Sequence, residues 1–306
     1  MSVSVVIAVK NGARFIAEAV DSALTQPETA LVVVVDDGST DNTADVVRSI
    51  PDARVKLIKG TRTGVSAARN VGFAEVFARL PEVSGETSWV LFLDADDRLR
   101  PGALTALLAS AEPGCVAVYG DYVRIDKAGG ALGRRRWLTG RRKPSGDILT
   151  TLVAGNFIVN GGVMLIRRDV FRRLGGFDES LCYCEDWHAF CRLAAQGPVL
   201  HCATTVMEYR VHGSSVMMSG SVGFAPYQAA LDRVFADPDI RRKLPPGDIA
   251  RLAADAGAHL RAYLACQAVR SHAYLRALPQ TANALRSSPK RAPRTMIHIL
   301  GAVAGL

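Results

Sequence analysis

The sequence predicts an α/β fold: a mostly parallel sheet flanked by helices, followed by a C-terminal helical extension. Three observations predict it. Short, wholly apolar runs alternate with stretches of helical periodicity through the first half of the 306 residues. The links between them are short, as expected for a sheet covered on both faces. After Gly223 the composition turns to Ala, Leu and Arg at helical spacing.

Taken in order, residues 3–9 are a β-branched apolar run, as in a strand buried on both faces. Residues 13–25 place Phe15, Ile16, Ala19, Val20, Ala23 and Leu24 at helical spacing. A second buried strand at 31–35 ends in Asp36-Asp37-Gly38-Ser39-Thr40-Asp41, a turn in which Thr40 or Asp41 caps a helix over 42–50. A strand at 55–58, a loop at 60–64 and a helix at 65–80 follow. The fourth strand, 89–93, ends in Asp94-Ala95-Asp96-Asp97, and a helix begins near Pro101, where proline suits a first turn. The fifth strand is 116–119. Residues 120–157 read as irregular and include a flexible basic loop at 134–143. Then come a strand at 163–166, a short helix at 169–174 closed by Gly175-Gly176, a helix at 185–196 ended by Gly197-Pro198, and a strand at 204–211. The helical region beyond 223 breaks at Pro245-Pro246 and near Pro279. The division is therefore 1–223, then 224–306.

Apolar residues at 49% and charged residues at 22% exclude disorder as a global description. No apolar run reaches the roughly 18–20 residues of a membrane span. The opening MSVSVVIAVKNG lacks a basic n-region and a cleavage site, so it reads as a strand in a cytoplasmic protein. The net charge of +8 is uneven: residues 225–306 hold 12 Lys/Arg against 5 Asp/Glu, leaving 25 against 24 before them. Such asymmetry points to an anionic partner, and a solvated basic helix face is the plain alternative. Four of six cysteines crowd 182–202. Cys182, Cys184, His188 and Cys191 lack the paired spacing of structural zinc, so reduced, packed thiols are expected. His188 and Trp187 read as structural.

Function is sought where acids end buried strands, because open parallel sheets bind ligands beyond their carboxyl ends. Asp94 and Asp96 can converge on one hard cation such as Mg²⁺ or Mn²⁺, alongside phosphate oxygens. Asp36 and Asp37 need partners or solvent, and a nucleoside offers NH and hydroxyl groups.

These stretches resemble the inverting family 2 glycosyltransferases of GT-A fold. The likeness is carried by SVVIAVKNGARFIAEAVDSALTQ, VVVVDDGSTDNTADVV, TGVSAARNVGF, WVLFLDADDRLRPGAL, GGVMLIRRDVFRRLGGFDESL, EDWHAFCRLAAQG and EYRVHGSS, over about residues 2–218. By that resemblance Asp36 contacts the nucleotide base, usually uracil. Arg69 lies near the ribose and phosphates. Asp94 and Asp96 form the D-x-D pair, with Asp96 the direct metal ligand. Asp186 is the catalytic base, and Glu185 supports the acceptor or orients the site. His212 is a late metal or diphosphate contact with Ser214 beside it. The family's proline and aromatic after the first strand are replaced by Ala8 and Lys10, so Lys10 reaches a phosphate or the base edge instead of a ring stacking there.

The resemblance implies a metal-dependent inverting transfer from a UDP-sugar to a hydroxyl of a glycan, glycolipid or surface-polysaccharide precursor, with a divalent cation (Mn or Mg) as cofactor. The chemistry agrees: a cation steadies the diphosphate leaving group, and a carboxylate takes the acceptor proton. Asp186 at a helix start is expected to stay ionised. The expected partners are the nucleotide-sugar donor, a glycan or lipid-linked acceptor, a membrane surface met through the basic C-terminal region, and further copies of the chain. Nucleic acid is not expected. The basic loop 134–143 either docks an anionic acceptor or is simply solvated. The alternatives are a silent nucleotide-sugar-binding scaffold and a nucleotidyltransferase, for which Lys10-Asn11-Gly12-Ala13-Arg14 is only a faint phosphate loop.

Overall fold

A computed structural model of the chain describes residues 2–80, 88–132, 143–212 and 223–303. Contacts group them into two units: 2–80, 88–132, 143–147 and 158–210 form the first, and 148–157, 211–212 and 223–303 the second.

In the first unit the apolar runs form one mixed sheet. β1 (Ser2–Val9), β2 (Thr29–Asp36), β3 (Val55–Lys59) and β4 (Ser88–Phe92) lie parallel in the order β3-β2-β1-β4. The sheet continues through β8 (Met164–Arg167), β6 (Ala117–Ile125), β9 (Val199–Arg210) and β5 (Arg98–Leu99), with β7 (Ala131–Leu132) beside β6. β8 runs antiparallel to β4 and β6, whereas β6 and β9 run parallel to each other. The chain order reverses between β1 and β4, the kind of switch point at which open sheets take ligands beyond the carboxyl ends of their strands.

The helices are α1 (Ile16–Leu24), α2 (Thr43–Arg48), α3 (Val65–Arg79), α4 (Ala103–Ala109), α6 (Arg168–Leu174) and α7 (Glu185–Gln196) in the first unit. α3 matters most to the site, and Gly72 lets it lie close to the sheet. A Cβ there would stand 2.5 Å from Val6 Cγ1 and 2.9 Å from Val35 Cγ2. Below the carboxyl ends, Phe73, Phe92, Phe171 and Phe177 pack edge-to-face or tilted, with centroids 4.9 Å apart for Phe73–Phe171 and for Phe92–Phe177. This aromatic wedge fixes α3, β4 and α6 against one another.

The second unit contains α5 (Leu149–Val153), α8 (Ala225–Ala236), α9 (Pro238–Lys243), α10 (Ile249–Arg270), α11 (Tyr274–Ser287) and α12 (Ala292–Val303). α10 is its axis, and α5, α8, α11 and α12 all pack on it.

Some expectations are corrected. Pro279 does not break a helix but lies inside α11 on its exposed side. Ala277 and Ala284, buried on the inner face, hold that helix together across it. The break falls instead between α10 and α11, where His272 takes a left-handed φ of 58°. Pro101 precedes the helix it was expected to start, because Gly102 adopts φ 74° just before α4. Asn42, not Thr40 or Asp41, occupies the cap position of α2, although Asp41 still accepts the Thr43 N–H at 3.1 Å. The stretch read as irregular holds the far half of β6 and, in α5, a helix, and both β6 and β9 are longer than their apolar cores suggested.

Replacing Gly72 with valine should destabilise the fold by about 1–3 kcal/mol through overpacking against β1 and β2. Urea unfolding measures this, and an unchanged midpoint would show that α3 can lift without cost.

Candidate active site

The site begins at the ends of the parallel strands. Val9 pairs with Asp36 in the β1–β2 register, and Asp94 follows β4 by two residues. Lys10 leaves β1 exposed to solvent. Asn11 then turns with φ 55° and accepts the Thr40 N–H at 2.8 Å, while its own N–H donates to Ser39 Oγ at 2.9 Å. Asp36 accepts the Ser39 N–H at 2.8 Å, which closes the turn after β2. Its neighbour Asp37 is buried and takes the N–H groups of Arg62 (2.6 Å) and Gly64 (3.1 Å). So Asp36 stands half-buried at the strand mouth, and Asp37 anchors the loop that leads into α3.

α3 carries Arg69 into the centre. Its buried guanidinium donates through Nη2 to Asp94 Oδ1 and through Nη1 to Glu185 Oε1, each at 2.8 Å. Its cationic carbon stands 5.3 Å over the Phe177 ring. Asn70, the next residue, exchanges hydrogen bonds with Phe177: its Nδ2 donates to the carbonyl at 3.0 Å and its Oδ1 accepts the N–H at 2.9 Å. One turn of α3 therefore ties the end of β4 to the start of α7.

Asp94 is held from the other side as well. Asn160 Nδ2 donates to Asp94 Oδ2 at 2.9 Å and to Asp97 Oδ2 at 2.7 Å, and Asn160 Oδ1 accepts the Gly162 N–H at 3.0 Å. Asp97 is buried and also accepts the Arg210 N–H at 2.8 Å. Burial, followed by repulsion from Asp94 and Asp96, pushes its carboxyl well above the usual range. Arg210 is buried too and donates to the Asp96 carbonyl at 2.8 Å and to Glu18 Oε2 at 2.7 Å. Asp96 remains half-buried on this braced turn.

Glu185 and Asp186 open α7 after Cys184, which adopts φ 58°. Asp186 Oδ1 accepts the Trp187 N–H at 2.6 Å. The expectation that helix-start placement keeps Asp186 ionised is corrected. Burial raises its pKa first and Glu185 second, while Arg69 and the Trp187 N–H pull it down and Asp94 pushes it up; the result is about 7. The backbone donor is outweighed because the carboxyl sits in an acidic, poorly solvated corner. Burial by itself would lower the Arg69 pKa, but Asp94, Glu185 and Asp186 more than reverse this and hold it above its ordinary value.

The structure thus brings together Asp94, Arg69, Glu185 and Asp186, with Asp36 and Lys10 on neighbouring strand ends. His212 follows β9 in the second unit, and Ser214 lies outside the described residues. So do residues 134–142 of the basic loop; its last residue, Lys143, pairs with Asp121 at 2.7 Å. Among the described residues no three His, Cys, Asp or Glu side chains form a cluster able to hold a metal ion. All six cysteines are unbridged. Sequence reasoning missed Asn160 and the bracing role of Asp97. Asp97 was visible as the third acid of its turn, whereas nothing local marked Asn160.

The chain is similar to known proteins in both sequence and fold. A family model described as "Glycosyl transferase family 2" matches residues 4–175. Succinoglycan biosynthesis protein ExoU of Rhizobium meliloti is 34% identical over 207 residues, covering 64% of this chain and 57% of that protein. Minor teichoic acid biosynthesis protein GgaA of Bacillus subtilis is 28% identical over 193 residues, covering 60% of this chain and 41% of its own. The match thus spans about half the length of these relatives. The structure of S. aureus TarS 1–349 in complex with UDP-GlcNAc covers 99% of this chain and 89% of its own with a TM-score of 0.63 at 16% identity. Mannosyltransferase PcManGT from Pyrobaculum calidifontis, with GDP-Man and Mn²⁺, gives 0.57 at 23% identity, covering 99% and 85%.

Two outcomes are expected. Arg69→Met leaves Asp94 and Glu185 facing each other and should cost about 3 kcal/mol, toward the low end for an unpaired buried charge because Asp94 keeps some access to water. Denaturant titration reads this loss. Asp186→Asn should act in the opposite sense. A carboxyl whose folded pKa is about 7, against about 3.9 unfolded, lets stability drain away as pH rises through that window. The ligand-free variant should therefore gain melting temperature over the parent at about pH 8 and gain little at about pH 4; equal differences at both pH values would remove the proton assignment.

Proposed function

The chain belongs to glycosyl transferase family 2, and on that premise we propose a metal-dependent, inverting transfer of a sugar from a nucleoside diphosphate donor to a hydroxyl of a surface-polysaccharide precursor. The protein is a glycosyltransferase of GT-A fold, which argues against the nucleotidyltransferase reading, and turnover separates it from a silent nucleotide-sugar-binding scaffold. The observation that carries the proposal is the Arg69 bridge, which ties the D-x-D turn to the pair Glu185-Asp186. In-line displacement needs a centre that receives the leaving diphosphate and a separate base for the attacking hydroxyl, held in fixed relation.

Asp186 is the proposed base. A carboxyl with a pKa near 7 is poised to take a proton at neutral pH. As the acceptor oxygen bonds the anomeric carbon, its proton passes to Asp186, and the sugar–phosphate bond breaks on the opposite face. Asp36 is the proposed contact to the base ring, and Lys10 to a phosphate or base edge. Arg69 offsets anionic charge at the end of β4, and Glu185 orients Arg69. His212 and Ser214 are proposed contacts on the diphosphate side.

The chemistry of the turn suits a divalent cation: Asp96 would offer hard carboxylate oxygens, Asp94 would add only the lone pairs that Arg69 and Asn160 leave it, and phosphate oxygens with water would complete the shell of Mn²⁺ or Mg²⁺. When bound, the ion neutralises the charge that develops on the leaving diphosphate. A UDP-sugar is the proposed donor, supported by the likeness of Asp36 to the family's base contact and by the UDP-GlcNAc held in TarS. ExoU and GgaA, named for succinoglycan and teichoic acid biosynthesis, support a glycan or lipid-linked acceptor.

The test separates chemistry from binding. Asp186→Asn should cut transfer by about a thousandfold while leaving UDP affinity intact, and Asp96→Ala should weaken Mn²⁺-dependent UDP binding as well. In the parent, log kcat/KM should climb with pH and level off above about 7. Near-normal turnover of the asparagine variant would strip Asp186 of its role.

A further inference from the structure

α11 and α12 each bury one face and expose another that is also apolar. Inward, Ala277 of α11 and Ile299 and Ala302 of α12 pack on Ala265, Cys266 and Val269 of α10. Outward, Leu275 and Leu278 are 85% and 65% exposed, and Leu300 and Val303 are 59% and 63% exposed. Tyr274, Met296 and Ile297 add to the same two helices. Elsewhere among the described residues, exposed large hydrophobics are single and less open: Val65, Tyr122 and Leu132. Scattered apolar side chains need no explanation, whereas this concentration does.

The charge of the same segment is one-sided. Residues 225–255 hold five basic and five acidic side chains, whereas residues 256–306 hold seven basic and none acidic. Of these seven, Arg261 and Arg270 belong to α10 and Arg291 pairs with Asp255, so the charge beside the apolar faces comes from the remaining basic residues of α11, α12 and the link between them. Arg276, Arg286 and Lys290 are exposed on or between the two helices.

We propose that α11 and α12 seat the protein on the surface of an anionic lipid bilayer, with the apolar side chains at the headgroup boundary and the basic ones on lipid phosphates. Charge complementarity selects this occupant. A second copy would bring the same excess of positive charge to the contact, whereas an anionic bilayer offers apolar depth and negative charge together. Helices of 14 and 12 residues are too short to cross, and no helix among the described residues is long and apolar enough to do so. They would lie in the interface plane. Neither donor nor acceptor enters this reasoning, so it stands or falls apart from the transfer reaction.

The full chain is sedimented with phosphatidylcholine vesicles containing about one third phosphatidylglycerol, and with phosphatidylcholine alone. Partitioning should be at least about tenfold stronger on the anionic vesicles and should weaken with salt. Leu275→Glu/Leu278→Glu/Leu300→Glu should lose about tenfold or more, and Arg276→Gln/Arg286→Gln/Lys290→Gln should fall to the neutral-vesicle level. All six positions are exposed, so the parent's circular dichroism and melting temperature should persist. Equal recovery on both vesicle types, recovery on neither, or binding that ignores both variants overturns the proposal. So does a concentration-dependent doubling of mass that the leucine variant abolishes without any vesicle binding; that face would then belong to a second copy.

Discussion

Arg69 is the constraint on which the site depends. A guanidinium is always charged and offers donors in a planar fork, so once buried it must find acceptors in its own plane. It finds Asp94 on one side and Glu185 on the other, residues 25 and 116 positions away along the chain. Neither carboxylate could be packed so closely beside the other without the cation between them. Phe177, held by the aromatic wedge of Phe73, Phe92 and Phe171, covers the Arg69 guanidinium, and the paired hydrogen bonds of Asn70 to Phe177 stop α3 from turning. The close seating of Gly72 on β1 and β2 completes the support.

The cost of that arrangement appears in the acids around it. Asp94, Asp97, Glu185 and Asp186 share two strand and helix ends with one buried arginine and with Arg210 as a flanking donor. Burial disfavours the ionised forms of Asp97 and Asp186, neighbouring acids add to this, and at Asp186 the arginine offsets only part of it. Such crowding is poor economy for stability and useful for chemistry, since a carboxyl in this setting can hold or release a proton near neutrality. Asp97 turns the same burial to another end. Fixed by Asn160 and by the Arg210 N–H, it stiffens the turn from which Asp94 and Asp96 project.

The second unit follows a different rule. Its core is built from small side chains along α10, which lets α11 and α12 approach closely while leaving their larger residues outside. Within it, Asp255 is the last acid in the chain, and its carboxylate is taken by Ser288 at 2.6 Å and by Arg291 at 3.4 Å. No acidic side chain follows to balance the basic residues on α11 and α12.

The sequence by itself determined the strand–helix alternation, the acids at the mouths of β2 and β4, and the family likeness. These are written in local periodicity and in short motifs, so the strands read at 3–9 and 31–35 and the helix read at 185–196 are legible without coordinates. It also located the basic tail, but not the apolar faces beside it, because Leu275 and Leu300 look like core residues until their helices are packed. Pro279 misled for a related reason: a local helix-breaker was overruled by buried contacts to α10 on both sides of it. Tertiary structure alone decided that Arg69 joins Asp94 to Glu185, that Asn160 bridges Asp94 and Asp97, and that Asp186 holds its proton to about pH 7. Proton affinity and charge pairing depend on which groups share a poorly solvated space. That is a property of contacts between distant stretches of chain, and no window of sequence contains it.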